Sequence, residues 1–121
     1  KEFIRKVIDE KIPYHVEQFF RNLLSKIYGL QYQIIEEKNL EIDIALFEFN
    51  NLKIVGEVKW KSDIDKDEIR KIEEKLNRFN CKKILIVPDK NILPYIPDNI
   101  EVLDINDIIN LVKENIKNYL Y

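Results

Sequence analysis

Two glycines, one cysteine, one histidine and no methionine stand in 121 residues, and each scarcity closes off a class of function. Isolated glycines at positions 29 and 56 cannot build the phosphate-cradling loops G-x-x-x-x-G-K-[ST] or G-x-G-x-x-G, so no nucleotide site is expected within this chain. One histidine, His15, and one cysteine, Cys81, are too few for a structural zinc site made by this chain alone. His15 has no neighbours that suggest a Ser-His-Asp or Cys-His arrangement and reads as a helix-start residue. A single cysteine forms no internal disulfide, which makes a reducing, cytoplasmic compartment the expectation. No apolar run approaches the roughly 20 residues of a membrane span, and the N-terminus lacks a signal-peptide pattern. A basic excess is also missing. Lys and Arg number 20 against 22 Asp and Glu, a net charge of −2. A dedicated DNA-binding module usually carries a clear positive balance. Any basic surface must therefore be local or supplied by another domain.

What is present is an ordinary globular composition with a densely charged exterior, 45% hydrophobic and 35% charged. The length suits one domain with a core of its own. Residues 2–11 carry Phe3, Ile4, Val7 and Ile8 at helical spacing, so residues 1–12 read as a helical extension from an upstream region, consistent with a chain that opens on Lys1. Residues 13–121 read as one domain. After Pro13, Val16, Phe19, Phe20, Leu23, Leu24 and Ile27 predict an amphipathic helix closed by Gly29. Glu17 falls at the edge of its apolar stripe. There it either faces a neighbouring strand or makes an i,i+4 pair with Arg21.

Gln31 to Ile35 predicts a first strand, followed by a polar turn through Glu36 to Asn39. The stretch Glu41–Lys61 predicts two consecutive strands. Asp65 and Glu68 resemble a capping box opening a helix with Ile69, Ile72, Leu76 and Phe79 inward and its charges outward. Lys83 to Val87 is a continuous apolar run of the kind buried in a sheet covered on both faces. A loop from Asn91 to Asn99, a strand from Ile100 to Leu103 and a helix capped by Asp104 complete the chain. That helix is expected to bury Ile108, Ile109, Val112, Ile116 and Leu120. The fold class is α/β, a central mixed sheet flanked by helices.

The chemistry lies in charges that interrupt apolar strands. On the second strand of the Glu41–Lys61 stretch, Val55, Glu57 and Lys59 share one face. On the first, Asp43 shares its face with Ala45, Phe47 and Phe49. Charges in such places cost several kcal/mol unless they are paired or bind a metal. A simple two-residue turn at Asn50-Asn51 would set Asp43 against Val58, facing away from Glu57. A shared site therefore requires a three-residue loop, Asn50 to Leu52, or a bulge, either of which sets Asp43 opposite Lys59 and diagonal to Glu57. The competing arrangement is a buried salt bridge of Lys59 with Asp43 or Glu57, which leaves one negative charge for a cation to neutralise.

Asp43 followed by Glu57-Val58-Lys59 resembles the D…(D/E)-x-K signature of the PD-(D/E)XK nuclease superfamily, with Ile42 where the named motif has proline. EIDIA followed by GEVKWK looks more closely like the C-terminal domain appended to P-loop ATPases of archaea and some bacteria. Tyr14 to about Val87 carries the likeness well and the tail carries it loosely. The resemblance implies a restriction-endonuclease-like fold, an α-β-β-β-α-β core plus a C-terminal strand and helix. It implies Mg²⁺ or Mn²⁺ held by Asp43, Glu57, the Val58 carbonyl and Glu17, with Lys59 assisting the attacking water. It implies hydrolysis of DNA, branched, single- or double-stranded, with an upstream ATPase domain as partner. Its alternative is an inactive nuclease-like module that regulates or docks onto that ATPase. Arg21, Lys38 and Lys61 are either phosphate contacts or ordinary solvated charges, Trp60 reads as a core aromatic, and a homodimer is left open.

Overall fold

The computed structural model describes residues 13–37 and 40–120. The helix expected over residues 2–11 lies outside them. The architecture is mixed α/β, a five-stranded mixed sheet flanked by helices. Helix α1 runs Pro13–Tyr28, β1 Gln31–Tyr32, β2 Glu36–Glu37, β3 Leu40–Glu41, β4 Ile44–Glu48 and β5 Asn51–Val58. Helix α2 runs Lys66–Leu76, β6 Lys82–Ile86, β7 Glu101–Leu103 and α3 Ile105–Leu120, with a single 3₁₀ turn at Lys90–Ile92. The sheet order is β1-β4-β5-β6-β7. The β1/β4 and β4/β5 pairs are antiparallel, and β5/β6 and β6/β7 are parallel. Strand β5 is thus central, and β5-α2-β6 is a parallel crossover unit.

Alternation along the strands divides the core between two faces. Ala45, Val55 and Leu85 meet Ile69, Ile72 and Leu76 of α2 on one side. Ile44, Leu46, Ile54, Ile84 and Ile86 meet Phe20 and Leu24 of α1 and Ile108 of α3 on the other. Gly56 sits between the layers where an added Cβ would come within 3.1 Å of the Ile84 carbonyl oxygen. Its missing side chain lets β5 and β6 lie close beneath Ile44.

Some boundaries differ from the sequence reading, for local reasons. The first strand stops at Tyr32, and Glu36–Glu37 pairs with Leu40–Glu41 as a separate ribbon instead of forming a plain turn. Asp65 caps α2 by accepting the Glu68 N–H at 2.9 Å, whereas the Glu68 carboxylate turns to Lys61 at 2.6 Å. Asp104 and Asp107 form the reciprocal box at α3, each side chain accepting the other's backbone N–H. The expected apolar face of α3 is wider than its contact. Ile108 is buried, but Ile109 and Ile116 are exposed. With Phe19, Phe20, Leu23, Trp60 and Val112, Ile109 lines an open apolar groove of about 640 Å³.

Register is set by two irregularities. Glu48 pairs with Asn51 around a two-residue turn, Phe49-Asn50, and a bulge then leaves Lys53 without an opposite number. The ladder continues with Leu46 opposite Ile54 and Ile44 opposite Gly56. The required bulge is present. The turn is one residue earlier than expected, so the next step brings Asp43 level with Glu57 and not with Lys59.

The turn carries a cost that can be measured. Phe49 has φ of 57° and is 84% exposed, a left-handed backbone with little packing in return. A bulky L-residue there costs about 1 kcal/mol or more, and asparagine tolerates the conformation. Phe49→Asn is expected to stabilise the protein by about 1 kcal/mol, read as a higher denaturation midpoint at unchanged m-value.

Candidate functional site

Asp43 lies just ahead of β4, at the end of the sheet where ladder pairing gives way to side-chain bonding. Its Oδ2 accepts the Val58 N–H at 3.0 Å. Its backbone carbonyl accepts both Nε and one terminal nitrogen of Arg21, at 3.1 and 3.0 Å. Arg21 lies in turn over the Tyr32 ring, 4.2 Å from its centroid. The α1 guanidinium therefore clamps the backbone of this aspartate. Its hydrogen bonds go to that carbonyl, while its charge still acts on Glu17 one turn away.

Glu57, on central strand β5, is only 3% exposed. It faces α2, where Lys75 Nζ approaches its Oε1 to 2.6 Å while also donating to the Glu41 carbonyl at 2.8 Å. Glu17 reaches the same place from α1. Its carboxyl is in hydrogen-bond contact with Asp43, and Asp43 is in the same contact with Glu57. The three acids named from sequence are brought together in one hydrogen-bonded cluster centred on Asp43.

Lys59 follows on the Glu57 face as strand alternation requires, and its backbone N–H donates to the Ile86 carbonyl at 2.9 Å. Its side chain lines the cleft with Glu17, Glu41, Asp43, Glu57, Val58, Trp60 and Lys75, around about 280 Å³. Trp60 also packs on Phe20 with ring centroids 5.0 Å apart, so it forms the wall between this cleft and the apolar groove. Val58 contributes a backbone N–H to Asp43 and lines the cleft.

Lys75 was not singled out in the sequence, where every charge of α2 was assigned outward. The missed signal is positional. At 3.6 residues per turn Lys75 flanks the Ile72 and Leu76 stripe, the same edge position that marked Glu17 on α1. An edge lysine on the helix over the acid-bearing face is the natural partner of a buried glutamate. The salt bridge weighed for Lys59 is made by Lys75.

Four carboxylates against two lysines leave an excess of negative charge, and protons make up the difference. Burial, hydrogen bonding with Asp43 and the Asp43 charge push Glu57 up to about 9, against the pull of Lys75. Glu17 is pushed up to about 8 by its hydrogen bond to Asp43, then by burial and the Asp43 charge, with Arg21 opposing. Burial would raise Asp43, but the hydrogen bonds from Glu57, Glu17 and the Val58 N–H outweigh it and hold this carboxyl below its ordinary value. The trio titrates as a unit with the charge concentrated on Asp43.

The donor set is all carboxyl oxygen, the kind of ligand that a hard divalent ion such as Mg²⁺ or Mn²⁺ takes. Among the described residues, no three His, Cys, Asp or Glu side chains stand as a ready-made metal cage. Glu57 gives an oxygen to Lys75, and Asp43 gives one to Val58.

No family model, curated protein or solved structure matches this chain. Among the described residues no helix is long and apolar enough to cross a membrane.

Proposed function

We propose that the cleft binds Mg²⁺ or Mn²⁺ and that the chain is a metal-dependent nuclease domain of the PD-(D/E)XK, restriction-endonuclease-like kind, hydrolysing phosphodiester bonds of DNA. The observation that carries this is the meeting of Asp43, Glu57 and Glu17 at the end of the central strands, with Lys59 lining the same cleft. The helix, bulged hairpin, crossover helix and parallel strand follow in the order that fold has. A bound divalent ion supplies Lewis acidity toward a phosphoryl oxygen and lowers the pKa of a water nearby.

The chain's own groups supply the rest. Asp43, Glu57 and Glu17 would hold the ion, with the Val58 carbonyl as a further oxygen. Arg21 fixes the Asp43 backbone so that its carboxylate does not wander. Lys59 orients the attacking water and offsets the charge that builds on the phosphoryl oxygens. Cytoplasmic location and an upstream ATPase domain that delivers or grips DNA belong to the same proposal, the latter because the net charge of −2 offers little to hold DNA alone.

One observation favours a second reading, an inactive nuclease-like module with a regulatory or protein-binding role. Lys75 already provides Glu57 with a cation. Divalent-ion calorimetry and a cleavage assay on single-stranded, duplex and branched DNA separate the two. Under the nuclease reading wild type binds the ion and cuts, and Lys59→Ala keeps ion binding while cleaving about a hundredfold more slowly. A wild type that neither binds Mg²⁺ or Mn²⁺ nor cuts any of the three substrates leaves only the inactive module.

A further inference from the structure

We infer that Lys75 is a tethered cation that competes with the divalent ion for Glu57, and so sets how tightly the cleft takes a metal. The inference rests on the divalent-ion reading of the cleft. The contact is short and well supported. Lys75 Nζ lies 2.6 Å from Glu57 Oε1 and 2.8 Å from the Glu41 carbonyl oxygen, which gives the ammonium a second anchor. Glu57 itself is 3% exposed, so water does little to replace a lost partner.

A buried carboxylate must be neutralised by something, and an ammonium on a four-carbon stem is a movable way of doing so. Lys75 comes from α2, outside the strands that carry Asp43 and Glu57. Its withdrawal therefore leaves the carboxylate trio in place. Its side chain is already a third exposed, so the ammonium has a route out to solvent. When a divalent ion enters, Lys75 must give up Glu57 Oε1, and the lost ion pair is subtracted from the metal's affinity. The lysine thus occupies Glu57 without metal and raises the concentration at which metal enters.

Trp60 is the only tryptophan of the chain and lines the cleft, so its fluorescence, quenched by paramagnetic Mn²⁺, reports occupancy without any activity assay. The test is Mn²⁺ titration of wild type, Lys75→Gln, Lys75→Met and Lys75→Arg, by Trp60 quenching and by calorimetry. Lys75→Gln keeps a hydrogen-bond donor toward Glu57 without the charge, and Lys75→Met provides a second neutral variant should the first fold poorly. Both are expected to bind Mn²⁺ at least about tenfold more tightly than wild type, as removal of a like charge a few ångströms away requires. Lys75→Arg is expected to stay near wild type. If wild type binds and the neutral variants bind equally or more weakly, or if Lys75→Arg tightens as they do, the competition is refuted and the metal site stands. If no variant binds Mn²⁺, both this inference and the metal reading are overturned.

Discussion

Asp43→Asn is expected to lower DNA cleavage by on the order of a thousandfold and to abolish measurable divalent-ion binding, with the fold retained. The substitution is nearly isosteric, and its amide oxygen can still accept the Val58 N–H that Asp43 Oδ2 accepts now. The Arg21 clamp is untouched because it grips the backbone carbonyl. What disappears is the charge on the carboxylate held lowest of the three, the one both glutamates bond to. Circular dichroism should change little, while calorimetry with Mn²⁺ goes flat. Cleavage at the wild-type rate in Asp43→Asn would remove the metal-centre interpretation, whatever the fold.

The second large effect is on stability. The metal-free protein should become less stable as pH rises from about 5 to about 9. In the folded state Glu57 is held up to about 9 and Glu17 up to about 8, whereas in the unfolded chain both ionise near 4.5. Between those values the folded state binds more protons, so each rise in pH favours unfolding. The stabilisation is complete below about 4.5 and is lost as pH climbs through the folded values, at up to roughly 1.4 kcal/mol per pH unit for Glu57, with the more exposed and better screened Glu17 adding less. Over the window this amounts to several kcal/mol for the buried Glu57, a sizeable part of a small domain's stability. Asp43 acts in the opposite direction, adding stability above its unfolded value and losing it as pH falls. Urea unfolding at fixed ionic strength measures the profile. Glu57→Gln should flatten its alkaline limb, and added Mn²⁺ should lift the same limb. A stability that rises steadily from pH 5 to pH 9 without metal would contradict the proton-holding trio.

Helix α1, the β5-α2-β6 crossover and the buried run at β6 were legible because their apolar periods leave one reading. Of the α1 stripe Phe20 and Leu24 are buried while Phe19 is exposed, and the α2 trio Ile69, Ile72, Leu76 is buried as its spacing requires. The acids Asp43 and Glu57 were legible for the converse reason, as charges where an apolar face left no solvent for them, whereas Glu17, at the edge of the α1 stripe, fitted a surface pair with Arg21 equally well. The exposed side of α3 was not legible. Ile109 and Ile116 fit its apolar pattern, but the contact made by the helix is narrower than the pattern. Lys75 was hidden among the charges of α2, since a lysine at a stripe's edge looks the same whether it meets water or a carboxylate.

The sequence by itself determined that acidic residues would interrupt a central hairpin and that some irregularity would have to set their register. Side-chain alternation has a period of two, so a count of residues fixes which face each acid takes once the register is known. The register itself was decided in three dimensions. A turn at Phe49-Asn50 and a bulge at Lys53 together put Asp43 level with Glu57, a sum of two small shifts that residue spacing cannot resolve. The cation that meets Glu57 was likewise a tertiary decision. Lys75 stands 18 residues further along the chain, and only the packing of α2 over the sheet places its ammonium on that carboxylate.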